Sequence, residues 1–225
     1  MVDEKITELA VITALEDTDL FPMVDDVPGT PITKAIAHSD LVAESVDQIL
    51  AALVGKKTVY IPASAMIPSV TGGCGVLVTT ETAVNKPDIS ALPFADGSAS
   101  HARFSFSFPK SWNLGTISYQ AYWTGLVAGA GGVRWGLQAV AVSDDDTITV
   151  SYGTIIKVTD TFLAIDDQHI AVESAALTIG GTPAQGDMIY FDVQRSPADG
   201  ADTRAAPADL LGIKLFYTVD TFKDD

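Results

Sequence analysis

The sequence predicts a mainly β protein: an N-terminal arm, a β-hairpin and one short helix, then an antiparallel, jelly-roll-like β-sandwich. Three observations carry this. From residue 56 onward, short runs rich in β-branched and aromatic residues are separated by Gly, Pro, Asn and Asp clusters, the punctuation of an all-β sandwich or barrel. Within those runs apolar and polar residues alternate, as half-buried strands require. Between residues 39 and 55 the apolar spacing is instead helical.

Taken in order, "DEKITELAVITAL" (3–15) sets Ile6, Leu9, Val11 and Leu15 among acids and threonines. It suits an extended arm or a poor helix and is too weak to fold alone. "DLFPMV" and "PITKAI" then flank "DDVPGT", whose Pro28-Gly29 suits a tight turn: proline fixes φ and glycine takes φ > 0. A lone two-stranded hairpin is marginal in water and needs something to pack against. Next comes "SDLVAESVDQILAALVG", with Ser39 or Asp40 placed to cap a helix and Gly55 to end it. Val42, Val46, Ile49 and Leu53 are spaced 4, 3 and 4, a heptad seam. The same spacing equally fits an amphipathic helix lying on its own domain. β-branched seam residues lean toward three strands, although so short a helix needs help from its neighbours.

Strands are predicted over 57–63, 75–80, 102–108, 116–125, 133–143, 153–158, 169–179, 187–196 and 210–220. Phe104, Phe106 and Phe108 should face one way and Ser105 and Ser107 the other. Ile117, Tyr119, Ala121 and Trp123 repeat the pattern. "PKSWNLG" is expected to join these two strands into a hairpin, with "VRWGLQAVAV" as a third strand of the same central sheet. "SPADGADTRAAPAD" (196–209) reads as a polar surface loop. The expected domains are an N-terminal segment, 1–55, and a β-domain, 56–225.

Composition bounds the function. At 225 residues and 47% hydrophobic, the chain can bury a sizeable core. Its net charge is −16, from 29 acids and 13 bases, which argues against nucleic acid or an anionic membrane as partner, since both call for a basic face. Residues 1–56 carry −8 and residues 57–225 another −8, so the front quarter holds half the net charge. A single cysteine, Cys74, excludes an intrachain disulfide and reads as packing. No apolar run approaches the ~18 residues of a membrane span, and the acidic N-terminus lacks the basic start of a secretory signal.

No enzymatic constellation emerges. His38, His101 and His169 have no metal-ligand spacing, and no nucleophile elbow, HExxH, phosphate loop or dinucleotide fingerprint is present. "DDD" at 144–146 reads as a solvated turn, because it lacks the alternating acids of calcium loops. Neither metal nor organic cofactor is expected. For a glycan contact the candidates are Trp112 and Tyr122. Against that, Trp112 suits a plug at the edge of the core or a subunit contact.

The opening segment resembles the N-terminal segment of many tailed-bacteriophage appendage proteins. The resemblance rests on Lys5-Ile6-Thr7-Glu8-Leu9, Thr18-Asp19-Leu20-Phe21, Val24-Asp25, Thr33-Lys34-Ala35-Ile36 and Asp40-Leu41. The β-domain looks like a jelly-roll domain common in phage structural proteins, through "YIPASAMIP" and "FPKSWN…ISYQAYWT". The resemblance implies a non-enzymatic virion protein, assembled in the host cytoplasm and anchored to the particle by its front segment. The apolar anchors would be Ile6, Leu9, Leu20 and Phe21, against a major capsid or other virion protein. Val42, Val46, Ile49 and Leu53 would form the trimer seam. The expectation is a homotrimeric head-decoration or head-fibre protein, and the alternative a tail-fibre or spike protein that recognises a host surface glycan.

Overall fold

Leu20–Asp25 (β1) and Ile32–Ala37 (β2) pair antiparallel, in register from Leu20 opposite Ala37 to Asp25 opposite Ile32. Pro22, which cannot donate to a ladder, is tolerated because both strands of a two-stranded hairpin are edges. The helix α1 (His38–Leu53) follows β2 directly. It begins one residue before Ser39, so Ser39 and Asp40 lie in its first turn and not at the expected cap. Asp40 there still favours the positive end of the helix dipole. Gly55 follows the helix with φ +116°, a backbone region that favours glycine.

The computed structural model describes residues 20–25, 32–221 and 224, and the chain divides into two compact units, Met1–Leu53 and Val54–Asp225. The predicted anchors Ile6 and Leu9 and the Pro28-Gly29 turn lie outside the described residues. No helix among those residues is long and apolar enough to cross a membrane.

The second unit is an antiparallel β-sandwich. Its strands are β3 (Gly55–Pro62), β4 (Ile67–Pro68), β5 (Val78–Glu81), β6 (Asp88–Phe94), β7 (Ser100–Phe106), β8 (Ser118–Thr124), β9 (Gly132–Val142), β10 (Ile156–Thr161), β11 (His169–Ile170), β12 (Met188–Arg195) and β13 (Ala208–Val219). One sheet runs β10-β9-β12-β7-β4 and the other β11-β8-β13-β6-β5. β3 lies beside the C-terminal part of β13 and β6 beside its beginning, so the two share one side of that long strand.

The inward faces make the core. From β8 come Tyr119, Ala121 and Trp123; from β9, Trp135, Leu137 and Ala139; from β12, Ile189, Phe191 and Val193; from β13, Leu210, Ile213 and Leu215. Each large apolar side chain removed from water contributes about 1.5–3 kcal/mol. Two polar groups in this interior have partners, whereas the buried Trp135 Nε1 and Trp112 Nε1 have none among the described residues. Trp123 Nε1 donates to Asp160 at 2.8 Å, and the Tyr119 hydroxyl lies within reach of the Ile156 and Trp135 carbonyls, at 2.9 and 3.1 Å.

The alternation predicted along 102–108 and 116–125 is present, but the expected pairing is not. β7 and β8 belong to opposite sheets, and the stretch between them crosses from one to the other. β9 lies with β7 in the first sheet, separated from it by β12. Two further strands, β4 and β6, were absent from the sequence reading; β6 contains Pro93, which lowers its strand signal. The predicted strand 169–179 shortens to β11. Beyond it the chain still follows β8, but the Ser174 hydroxyl accepts from Tyr119 N at 3.0 Å where a ladder would use a main-chain carbonyl.

The stretch 196–209 is braced into the fold and is not a free polar loop. Arg195 is 0% exposed and grips Asp202 with Nε and Nη2, at 2.9 and 2.8 Å, while its Nη1 donates to Ala206 O at 2.8 Å. Arg204 lies over the Phe162 ring, 3.8 Å from its centroid, and donates to the Val127 carbonyl at 2.7 Å.

Candidate functional site

On the outward face of the first sheet lies an open groove of about 590 Å³. Strand alternation builds its floor: Arg103 and Ser105 from β7, Tyr190 from β12, Val140 and Val142 from β9. The segment after β9 supplies one wall with Ile148, Val150 and Tyr152. Ala65 and Ile67, around β4, supply the other.

The polar centre of this face is Asp192, 1% exposed on β12. It stands opposite Arg103 on one neighbouring strand and Gln138 on the other. Its carboxylate accepts from His101 Nδ1 at 3.0 Å and Gln138 Nε2 at 2.9 Å, and pairs with Arg103 Nε at 3.5 Å. A buried carboxylate with so many partners stays in place and orients what it holds. It holds Arg103. The guanidinium of that residue also lies over the Tyr152 ring, 5.9 Å from the centroid. Burial pushes the Tyr152 hydroxyl above its ordinary pKa, with Arg103 opposing the shift and Asp192 adding to it. Tyr190 is 39% exposed. The groove therefore joins aliphatic walls and tyrosine faces to one half-exposed arginine paired with Asp192.

The outward face of the second sheet is different. Tyr60 and Tyr122 meet edge to face at 5.3 Å, and the Tyr60 hydroxyl donates to Leu211 O at 3.0 Å. The Tyr60 ring lies over Gly212, where any Cβ would meet its hydroxyl at 2.4 Å and the Ile61 carbonyl at 2.6 Å. Along the same face Lys56 pairs with Glu173 and sits 4.5 Å from the Phe216 ring centroid.

The predicted site residues are scattered across these surfaces. Trp112 is 3% exposed and packs on Phe108 with ring centroids 4.5 Å apart, so it is a core plug and not a glycan contact. Tyr122 is half-buried against Tyr60 on the second sheet, and the structure does not bring it together with Trp112. In the first unit Leu20 is exposed, while Phe21 is half-buried with its ring 6.0 Å from that of His38. Val42, Val46 and Ile49 are all exposed, the last two by 45% and 59%. Leu53 closes α1, but its side chain lies outside the described residues. Cys74 is buried, and burial pushes its thiol up to about 11. Among the described residues no group of three or more His, Cys, Asp or Glu could hold a metal ion.

The sequence reading missed Arg103, Gln138, Asp192 and Tyr190. Each stands at an outward position of its strand, and that alternation was the only signal available.

No family model matches the chain, and no curated protein matches it. Among solved structures it is similar to a family 11 carbohydrate-binding module from Clostridium thermocellum in complex with a β-1,3-1,4-mixed-linked tetrasaccharide. The TM-score is 0.40 and the identity 10%, over 72% of this chain and 95% of that one. TmCBM61 in complex with β-1,4-galactotriose gives a TM-score of 0.32 and 14% identity, over 72% and 88% of the two chains. A protein of unknown function from Shewanella oneidensis gives 0.32 and 9%, over 89% and 100%. At these scores the likenesses identify neither a family nor a ligand.

Proposed function

We propose that the chain is a bacteriophage structural protein without catalytic activity, a homotrimeric head-decoration or head-fibre protein whose front segment docks it on the particle. The observation that supports this most is α1. Its described side chains from Ser39 to Ala51 are exposed, Val42, Val46 and Ile49 among them. A helix of 16 residues barely exceeds the ~12–15 below which isolated helices are marginal in water. A heptad-spaced apolar face on such a helix gains its stability by association, and copies of itself about a three-fold axis present the same spacing. The acidic arm and the exposed Leu20 suit attachment to a basic, grooved surface, with charge guiding encounter and apolar anchors holding it.

The helix is about 24 Å long at 1.5 Å per residue, and β3 starts at Gly55, two residues after it. That leaves no room between them for a reaching shaft and favours a knob standing on the capsid. The alternative, a tail fibre or spike that recognises a host surface glycan, is favoured by the open groove on the first sheet. Negative-stain imaging of particles labelled with antibody to this protein tests the placement. Label distributed over the head agrees with decoration; label confined to the tail contradicts it.

A further inference from the structure

We propose that the groove on the outward face of the β10-β9-β12-β7-β4 sheet binds a short segment of neutral saccharide, held by Arg103, Tyr152 and Tyr190. The inference concerns the sandwich alone and does not depend on α1 or on the protein's place on a particle. Size is the first constraint. An open groove of about 590 Å³ lies within the ~300–1,000 Å³ of small-ligand sites.

Charge is the second. Arg103 is the charged side chain that lines the groove, and it is balanced by Asp192 beneath it, whose carboxylate is committed to His101, Gln138 and Arg103. No carboxylate lines the groove to attract a cation. An anion finds no surplus positive charge there, and residues 57–225 carry −8 overall. A neutral ligand meets neither penalty.

The third constraint is the kind of contact on offer. Two tyrosine rings and the aliphatic wall of Ile148 and Val150 want apolar faces. Beside them the tyrosine hydroxyls, and the Nη atoms of Arg103, have no hydrogen-bond partner among the described residues. Asp192, 3.5 Å from Nε, and the Tyr152 ring lie beside the half-exposed Arg103, which leaves its Nη donors open to a ligand. A molecule with apolar C–H faces and hydroxyl edges satisfies both sets. An added peptide strand does not, because β9, β12 and β7 are each paired on both sides and the groove lies on their face, away from a free edge.

The test is calorimetric titration of the full chain with neutral oligosaccharides (maltotetraose, cellotetraose, mannotetraose and β-1,4-galactotetraose) and with two anionic ones, tetragalacturonate and sialyllactose. At least one neutral sugar is expected to bind at one site per chain, with affinity unchanged by salt. Tyr190→Ala and Arg103→Lys, the latter keeping the charge but losing the fork, should each weaken that binding about ten-fold, or ~1.4 kcal/mol. Tyr60→Ala, on the other sheet, should leave it unchanged, and thermal melting of each variant checks that it is folded. The proposal is overturned if no neutral sugar saturates at millimolar concentration, if an anionic sugar binds more tightly than every neutral one, or if Tyr60→Ala abolishes binding while the groove variants retain it.

Discussion

Arg195 and Asp202 show what a single pair of residues does for this fold. Both side chains are almost fully enclosed, and the arginine also donates to the Phe94, Ala206 and Arg204 carbonyls. Removing one partner of a buried pair leaves an uncompensated charge, so Asp202→Ala should cost about 3–5 kcal/mol, read as a lower denaturant midpoint. The sequence could not announce this: the run 196–209 is rich in Ala, Asp and Pro, and nothing in it says that its charges turn inward. Cys74 was more legible, since a lone cysteine among glycines reads as packing. Its thiol is held neutral by burial, with a pKa of about 11 against an ordinary 9.0. Because the folded value is the higher one, the stabilisation is complete below pH ~8.5–9. It falls away as pH rises toward 11. Ellman's reagent should therefore react slowly with the native protein at pH 8 and fully once guanidinium unfolds it.

At the scale of elements, alternation was a reliable guide to faces and a poor guide to partners. Phe104 and Phe106, and then Ile117, Tyr119, Ala121 and Trp123, point inward as their spacing required. Which sheet each strand joins was not written there, because both sheets turn the same kind of face to one core. That is why β7 and β8 read as a hairpin and prove to lie in opposite layers. Close approach was equally hidden. Gly212 sits at a register shift in β13, and the Tyr60 ring of β3 lies on it. Gly212→Ala should push Tyr60 aside and strain the β3–β13 edge, costing about 1–3 kcal/mol as an overpacked site does. A lowered melting temperature, with Tyr60→Ala partly rescuing it, would show that the clash is the cause.

For the whole molecule, the mainly β sandwich was legible because punctuation and alternation agree along most of the chain. The groove was not: it is assembled from β7, β9 and β12, the segment after β9 and the residues around β4, and becomes a site only once register brings Arg103, Asp192 and Gln138 abreast. The helical seam was visible as spacing, but spacing alone left open whether Val42, Val46 and Ile49 pack on their own domain or on other copies. The proposed trimer places them against other copies. Sedimentation equilibrium of the full chain against the Val46→Asp, Ile49→Asp double variant tests this central claim most directly, since each aspartate would bury an unpaired charge in the seam at a cost of several kcal/mol. The account predicts a parent mass three times the 23.6 kDa of one chain and a variant that sediments as single, folded chains. A parent that is already a monomer, or a double variant that remains a trimer, would contradict it.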